Sequence, residues 1–441
     1  MPTLTGNTSY RLNGVTDFKL AGFDTSWFGV RFIEGLFLWA PEDDPMRAVS
    51  ITMTGSNWGV GVIRNTGNTA TVMSDTTTGG SRFIDAILLH SAGNNVVTLV
   101  NTGTSLISTG IGNDRVTLGG ISIEAVSTHE GNDVVRTGRG WVNTIELGNG
   151  NNAVTIGAGS AGTVTSGEGN DTITAIGEID YIGSGRGNDR IITQGEWVGL
   201  IDAGRGADLV TVGRGGVSFL ALGRDADRVI LQRQPDAESP VTINGGGNVS
   251  TDQDRDSDTA IFRAFSVRLN IDLGERTTVV QNSQGHFILR DIENLVGGAA
   301  GDILRGDGED NRLQGGGGRD VLEGRAGADT LVGGAAADRF VFSDVDHSTG
   351  DDGLTDLIVD FSRAQGDRID LRAIDAREAV GGDQALTFIG TRAFSEIAGQ
   401  LRSVQTGGRT LIEGDTDGDG AADFALMLAS AQSLGAGAFL L

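Results

Sequence analysis

A nine-residue pattern repeats between Gly297 and Val341, and its polar positions have the chemistry of a hard-cation site. The successive units read GGAAGDILR, GDGEDNRLQ, GGGGRDVLE, GRAGADTLV and GGAAADRFV. Glycine opens each unit and permits the left-handed backbone and the close carbonyl approach that a tight turn needs. Carboxylate and turn carbonyl oxygens are hard ligands that suit Ca²⁺. The predicted calcium-site residues here are Gly297, Asp302, Gly306, Gly308, Asn311, Gly315, Gly317, Asp320, Gly324, Asp329, Gly333 and Asp338.

The eighth place of each nine-residue unit is always a large apolar residue. A flexible glycine-rich linker does not explain such a column, whereas the inward face of a stacked β-structure does. The segment therefore predicts a parallel β-roll that binds several Ca²⁺ ions. The apolar column consists of Leu304, Leu313, Leu322, Leu331 and Phe340.

A second acidic pattern near the end of the sequence alternates carboxylates around a glycine. Asp415, Asp417 and Asp419 precede Gly420, and Asp423 follows it, as in part of an EF-hand loop. The twelfth position of such a loop is Leu426 rather than Glu, so the full spacing fails. Two interpretations stay open, a calcium site of lower coordination or an acidic turn between two strands.

A longer repeat precedes the nine-residue units. Gly-Asn-Asn, Gly-Asn-Asp or Gly-Ala-Asp triplets open at intervals of 19 residues, with one interval of 18. A β-branched residue lies two places after each triplet, and a further apolar column follows. Two inward columns at a fixed period predict the coils of a right-handed parallel β-solenoid. The columns are Val97, Val116, Val135, Val154, Ile173, Ile191, Val210 and Val229, then Ile107, Val126, Ile145, Val164, Ile182, Ile201 and Leu220.

The triplets of this solenoid stack a row of carboxylates about 4.8 Å apart, the spacing of neighbouring strands. Like charges at that distance repel, so either Ca²⁺ lies between successive coils or the side chains cap backbone amides in Asx turns. Asn95 and Asn152 at the same place favour capping, because Asn caps equally well. Both interpretations stay open for Asp114, Asp133, Asp171, Asp189, Asp208 and Asp227.

The predicted fold is all-β throughout. It comprises a right-handed parallel β-solenoid of about 19 residues per coil, followed by a parallel β-roll. We predict five regions: an N-terminal cap at 1–90, the solenoid at 91–235, a connector at 236–296, the roll at 297–342, and the C-terminal segment at 343–441.

The amino-acid composition limits the classes of partner that the protein is expected to bind. The net charge of −25 disfavours nucleic acid and anionic membranes and favours divalent cations. The absence of Cys excludes disulfides and thiolate zinc sites. The first residues do not have the pattern of a secretory signal peptide, and no apolar run is long enough to span a membrane. We therefore expect either a cytosolic protein or one exported by a route that recognises the C-terminus.

The nine-residue units are similar to the RTX, or hemolysin-type, calcium-binding repeat. Residues from about 255 onward also resemble the C-terminal domain of the serralysin metallopeptidases. The markers are Asp356, Asp360-Phe361, Gly366-Asp367, Ile369-Asp370-Leu371, Ala398-Gly399 and Asp423-Phe424. This resemblance implies that the RTX parallel β-roll is followed by a β-sandwich-like C-terminal segment. It also implies type I secretion through an uncleaved C-terminal signal and folding in extracellular calcium.

The peptidase activity of that family is not expected here. Zinc peptidases need two His at a spacing of four on a helix, and no two of His90, His129, His286 and His347 have it. No catalytic residue and no cofactor other than Ca²⁺ is predicted. One enzyme class stays open, because β-helices host polysaccharide lyases and epimerases. Arg186, Arg205 and Arg224 form a basic column that suits a uronate chain, or that merely pairs with nearby Asp.

The sequence thus predicts a secreted, calcium-binding RTX protein, released or attached to a cell surface, whose solenoid serves as a binding or adhesion scaffold. Its expected partners are calcium, the type I secretion machinery, and a polysaccharide or cell surface. The alternatives are a carbohydrate-active β-helix enzyme and a surface-layer or matrix structural protein. The biological ligand, the number of ions, the role of residues 1–90 and the oligomeric state do not follow from the sequence.

Overall fold

The computed structural model describes most of the chain. The described residues are 17–20, 31–33, 36–38, 48–53, 58–65, 69–74, 82–90, 92–233, 240–246, 257–275, 278–349, 355–377, 382 and 384–441. Much of the predicted cap at 1–90 lies outside them. The chain divides into two compact units, Met1–Arg224 and Asp225–Leu441.

Among the described residues of the first unit, the regular secondary structure consists of β-strands. They are β1 (Asp17–Leu20), β2 (Arg31–Ile33), β3 (Leu36–Leu38), β4 (Ala48–Met53), β5 (Trp58–Asn65), β6 (Thr69–Ser74), β7 (Arg82–Leu89), β8 (Val96–Leu99), β9 (Gly103–Ser108), β10 (Arg115–Leu118), β11 (Ile123–Ser127), β12 (Val134–Arg136), β13 (Val142–Glu146), β14 (Ala153–Ile156), β15 (Ala161–Thr165), β16 (Thr172–Ala175), β17 (Ile179–Gly183), β18 (Arg190–Thr193), β19 (Val198–Asp202), β20 (Leu209–Val212) and β21 (Val217–Ala221).

Successive coils of this unit pair in parallel through two sheets. The even-numbered strands from β4 to β20 form one sheet, and the odd-numbered strands from β5 to β21 form the other. Val116 faces Val97 on one side and Val135 on the other, which is the register that the 19-residue period predicts. The parallel pairing also extends upstream of residue 91, through β4 to β7. The boundary at residue 91 stays a prediction.

The interior of the solenoid consists of the two predicted apolar columns. Val97, Val135, Ile173 and Val210 are fully buried, as are Ile107 and Ile201 of the second column. β-Branched side chains suit this position because they pack well on a pleated surface. The predicted parallel β-solenoid of about 19 residues per coil is therefore confirmed.

The second unit contains the remaining strands. They are β22 (Arg228–Leu231), β23 (Val241–Asn244), β24 (Thr259–Ile261), β25 (Asn270–Asp272), β26 (Thr278–Asn282), β27 (Gly285–Arg290), β28 (Asn294–Val296), β29 (Ile303–Arg305), β30 (Arg312–Gly317), β31 (Val321–Glu323), β32 (Thr330–Ala335), β33 (Arg339–Val341), β34 (Asp356–Ile358), β35 (Arg368–Asp370), β36 (Thr387–Phe388), β37 (Gln400–Thr406), β38 (Arg409–Asp415), β39 (Phe424–Leu428) and β40 (Phe439–Leu440). Two 3₁₀ turns, Val345–His347 and Ala436–Ala438, are its described helical residues.

Two nine-residue units make one coil of the roll. β28, β30 and β32 pair in parallel in one sheet, and β29, β31 and β33 pair in parallel in the other. Leu304 lies beside Leu322, and Leu313 lies beside Leu331. The whole apolar column from Leu304 to Phe340 is fully buried, as predicted.

The segment after the roll continues both of its sheets. β34 pairs with β32, and β35 pairs with β33. An antiparallel β37–β38–β39 meander then pairs with β34 through β39. No described helix is long and apolar enough to cross a membrane.

Candidate calcium sites in the roll and the solenoid turns

Each Asp at the sixth place of a nine-residue unit lies inside its turn and bonds to the preceding coil. Asp320 Oδ1 accepts the backbone N–H of Asp302 at 2.6 Å, and Asp338 Oδ1 accepts that of Asp320 at 2.9 Å. On the other sheet, Asp329 Oδ1 accepts the N–H of Asn311 at 2.8 Å. All five predicted side chains are buried, so the turns form two rows of carboxylates or amides inside the roll.

Two residues of the C-terminal segment extend these rows. Asp356 Oδ1 accepts the N–H of Asp329 at 2.8 Å, and Asp367 Oδ1 accepts that of Asp338 at 3.0 Å. Both residues are markers of the serralysin resemblance, but neither is a predicted member of the cation site. Their bonds span 27 and 29 residues where one coil of the roll has 18, so the insertions before them hide their equivalence. What the sequence still shows at these two places is an Asp followed by apolar strand residues, in Asp356-Leu357-Ile358 and in Gly366-Asp367-Arg368-Ile369-Asp370.

The second carboxylate oxygen of most row members has no hydrogen-bond partner. Within the described residues, Oδ2 of Asp320, Asp329, Asp338 and Asp356 is buried and accepts no hydrogen bond. Burial raises the pKa of Asp320 and Asp329 to about 7 and that of Asp356 to about 8. A buried carboxylate oxygen in this state requires a proton or a cation. Asp302 differs, because its Oδ2 accepts the N–H of Gly298 at 2.8 Å.

The opening glycine of each nine-residue unit makes room for this oxygen. A Cβ atom on Gly315, Gly324 or Gly333 would overlap the carboxylate of the same unit. Gly297 and Gly306 lie in the same way against Asp302 and Asn311. Gly308 and Gly317, also predicted site residues, lie away from the carboxylates in more open space. The glycine of the first position is thus required by the site itself.

The C-terminal acidic loop brings three of its four predicted ligands together. Carboxylate oxygens of Asp415, Asp417 and Asp419 lie within 4.8 Å of one another, with Asp415 buried and the other two exposed. Asp423 points elsewhere, because its Oδ2 accepts the N–H and the hydroxyl of Thr416 at 2.7 and 2.8 Å. The arrangement offers three hard oxygen ligands, and Asp423 instead stabilises the turn.

The solenoid turns repeat the carboxylate arrangement of the roll. Asp133 Oδ1 accepts the N–H of Asp114 at 2.7 Å, and Asp189 Oδ1 accepts that of Asp171 at 2.7 Å. Asn152 occupies the same row, where its Oδ1 accepts the N–H of Asp133 at 2.9 Å. The caps therefore bridge neighbouring coils and do not close a turn within one coil. Asp208, Asp227 and Asp258 occupy the corresponding buried positions on their own coils.

As in the roll, Oδ2 of Asp114, Asp133, Asp171 and Asp189 is buried without a hydrogen-bond partner within the described residues. On some coils a Thr or Ser hydroxyl lies near the carboxylate and lowers its pKa, as Thr128 does for Asp133 and Ser184 does for Asp189. Burial still outweighs this effect and raises both pKa values to about 6. The Thr128 hydroxyl also lies 2.9 Å from the Leu147 carbonyl oxygen, so its single proton has two alternative acceptors. Leu147 replaces the hydroxyl on the coil of the uncharged Asn152, but Ala203 and Leu222 replace it on the coils of Asp208 and Asp227, where the charge is kept.

The fold and these turns define a calcium-binding parallel β-roll attached to a β-solenoid. Residues 291–318 and 305–340 match the sequence model of the RTX calcium-binding nonapeptide repeat. These repeats are calcium-binding motifs, so Ca²⁺ is the ion of the roll.

Two solved structures are similar to parts of the chain. The AlgE6R3 subunit of the Azotobacter vinelandii mannuronan C5-epimerase is 27% identical over 33% of this chain and 76% of its own, with a TM-score of 0.25. The AlgE6R2 subunit of the same epimerase is 24% identical over 47% of this chain and 96% of its own, with a TM-score of 0.22. No curated protein matches the chain.

Proposed function

We propose that the protein is an extracellular calcium-binding RTX protein that folds on meeting calcium after type I export, and that its solenoid is a binding or adhesion scaffold. The observation that supports calcium-driven folding is the set of buried, unpartnered carboxylate oxygens at Asp320, Asp329, Asp338 and Asp356. Ionised and without a cation, such oxygens oppose folding. A cation that binds only the folded roll stabilises it by mass action.

The C-terminal segment contributes to the same process. Asp356 and Asp367 complete the last carboxylate positions of the two rows. Asp360 accepts the N–H groups of Gly333 and Gly334 at 2.9 and 2.8 Å. Three markers of the serralysin resemblance thus bond directly to the roll. We infer that this segment closes the roll after export and that calcium binding is coupled to its docking.

Calcium titration of the EDTA-treated full-length chain, followed by far-UV circular dichroism, tests this proposal. We expect Asp320→Asn with Asp329→Asn to move the folding midpoint to at least about tenfold higher calcium, as loss of tightly coupled metal contacts does. Asn keeps the bond to the neighbouring coil and removes only the charged oxygen. Glu309→Gln is the matched control, because it removes one charge from an exposed position of the same roll. An unchanged midpoint in the double variant would refute the ligand assignment.

A second function, binding of an acidic polysaccharide, is favoured by the arginine column of the solenoid. Arg186, Arg205 and Arg224 are bridge partners on successive coils, and all three are exposed. Arg186 pairs with Glu168 at 3.2 Å, but both side chains are more than half exposed, so this ion pair contributes little. A chain of regularly spaced carboxylates fits guanidinium groups about 4.8 Å apart.

Titration calorimetry with a short oligogalacturonate tests polysaccharide binding. We expect Arg186→Glu with Arg205→Glu to abolish binding, and we expect binding to weaken as salt is raised. Arg136→Glu is the control, since it reverses an exposed charge on strand β12, whereas the arginine column lies outside the strands. Equal binding of an uncharged maltooligosaccharide, or no effect of the double variant, would exclude the arginine column as the binding surface.

A further inference from the structure

Two histidines that are far apart in sequence meet on the surface of the solenoid. Leu88 faces Ser108, and Ser108 faces Ser127, so His90 and His129 occupy equivalent places two coils apart. Both imidazoles are exposed. The equivalent residue on the coil between them is Gly110, which has no side chain to separate the two rings.

The two imidazole rings are directed at one point. His129 Nε2 lies 2.9 Å from the Ser108 Oγ atom, and His90 Nε2 lies 3.3 Å from the same oxygen. The ring centroids are 6.4 Å apart and the ring planes are at 89°. A hydroxyl can donate to one nitrogen and accept from the other, so Ser108 holds both rings in place. Two Nε2 atoms that approach the same point can supply two of the ligands of a metal ion.

The point that both Nε2 atoms approach opens into a cleft of about 670 Å³. Gly110 and Gly148 leave the column clear on either side of His129, and Glu130 and Asn149 line the same cleft. The cleft therefore offers space for water ligands and further oxygen donors beside the imidazoles.

We propose that His90 and His129 form a binding site for a borderline transition-metal ion of the Zn²⁺ class, distinct from the calcium sites. Neutral imidazole nitrogen is a good ligand for Zn²⁺ and similar ions, whereas Ca²⁺ takes oxygen ligands. The ion replaces the Ser108 hydroxyl as the partner of both Nε2 atoms, and water molecules complete the coordination sphere. This inference does not depend on the export or polysaccharide proposals.

Zn²⁺ titration of the full-length protein against a chromogenic chelator, in excess calcium, tests the site. Calcium occupies the carboxylate sites, so they do not compete. We expect one ion per chain, and we expect His90→Asn and His129→Asn each to weaken binding by about tenfold or more. Asn is chosen because His129 has a φ of 66°, in the left-handed region that Asn tolerates. Co²⁺ in place of Zn²⁺ gives a visible absorption band that reports nitrogen coordination.

The chain supplies its own control, because His286 and His347 lie elsewhere. His286→Asn should leave the affinity unchanged, and Ser108→Ala should bind at least as tightly as the natural protein, since it removes the competing hydroxyl. Failure to bind Zn²⁺ in excess calcium would overturn the proposal. The proposal would also be overturned if His90→Asn and His129→Asn bound Zn²⁺ as tightly as the natural protein, or if Ser108→Ala lost binding. None of these outcomes bears on the calcium midpoint of the roll.

Discussion

At the scale of single residues, the solenoid turns depend on glycines in a backbone conformation that other residues avoid. Gly112, Gly131 and Gly169 have φ values of +130°, +136° and +130°. The coils also stack so closely there that a Cβ on Gly131 would overlap the Gly112 carbonyl oxygen. The triplet glycine is therefore fixed by both backbone torsion and contact, and its recurrence in the sequence follows from the stacking of coils.

Replacing one of these glycines should destabilise the solenoid. We expect Gly131→Ala to lower the free energy of unfolding by at least about 2 kcal/mol, from overpacking together with the unfavourable torsion. Gly120→Ala is the matched control, because a Cβ there meets nothing within 4 Å. Its effect should stay within about 0.5 kcal/mol. Urea unfolding in calcium measures both, and similar losses in the two variants would show that the turn does not impose this constraint.

At the scale of elements, the two repeats use one arrangement, a buried acidic side chain that bonds to the neighbouring coil and keeps its second oxygen buried without a hydrogen bond, as at Asp133 and Asp320. In both, the acidic side chain bonds through Oδ1 to the backbone of the preceding coil. In the solenoid, hydroxyls such as Thr128 lie beside the carboxylate, and Asn152 takes its place without a charge. The roll also has an uncharged row member, Asn311, but burial raises the pKa of Asp320 and Asp329 to about 7, compared with about 6 for Asp133 and Asp189. We therefore propose that the solenoid carboxylates are structural caps and the roll carboxylates are calcium ligands.

Hydrogen exchange of the full-length chain tests this division of roles. In EDTA, we expect the backbone amides of Asp114, Asp133 and Asp171 to stay protected, because their bonds to the next coil need no cation. The amides of Asp302 and Asp320 should exchange rapidly until calcium is added. The two elements serve as each other's control in one sample. If the solenoid amides lose protection together with the roll, the triplet carboxylates also bind calcium.

The periodicity in the sequence predicts which residues are equivalent, but not which neighbour each one contacts. The inward columns at Val116 and Leu322 follow directly from the period, because burial acts on each repeat in the same way. The direction of the carboxylate bonds, toward the preceding coil, depends on the stacking offset and carries no sequence signal. Asp356 bonds to Asp329 across 27 residues, nine more than the 18 of one coil, so the period does not indicate the row to which it belongs. The period also misses the pair of His90 and His129, because β7 pairs with β9 at an offset of 20 residues and not 19, as Leu88 and Ser108 show.

At the scale of the whole protein, the net charge of −25 and the buried carboxylates make stability depend on protons and cations together. Carboxyl groups whose pKa is raised in the folded protein bind protons that the unfolded chain releases. They therefore stabilise the fold at low pH, and this contribution is lost as the pH rises through the folded-state pKa values. The pKa of Asp370 shifts in the opposite direction, because hydrogen bonding to Arg372 lowers it, but its effect on stability lies at more acidic pH.

Without calcium, the thermal midpoint of the folded protein should therefore rise by several degrees as the pH is lowered from 8 to 5. The main contributions come from Asp329 and Asp356, whose pKa values are raised to about 7 and about 8 by burial. With calcium the protons are displaced, so calcium affinity should weaken as the pH falls through about 7. Circular dichroism melts in EDTA and in calcium measure both trends. Asp329→Asn with Asp356→Asn should flatten the pH dependence of the thermal midpoint in EDTA, whereas Glu309→Gln should not. A thermal midpoint in EDTA that rises toward pH 8 would contradict the assignment of these carboxyls as the groups that calcium neutralises.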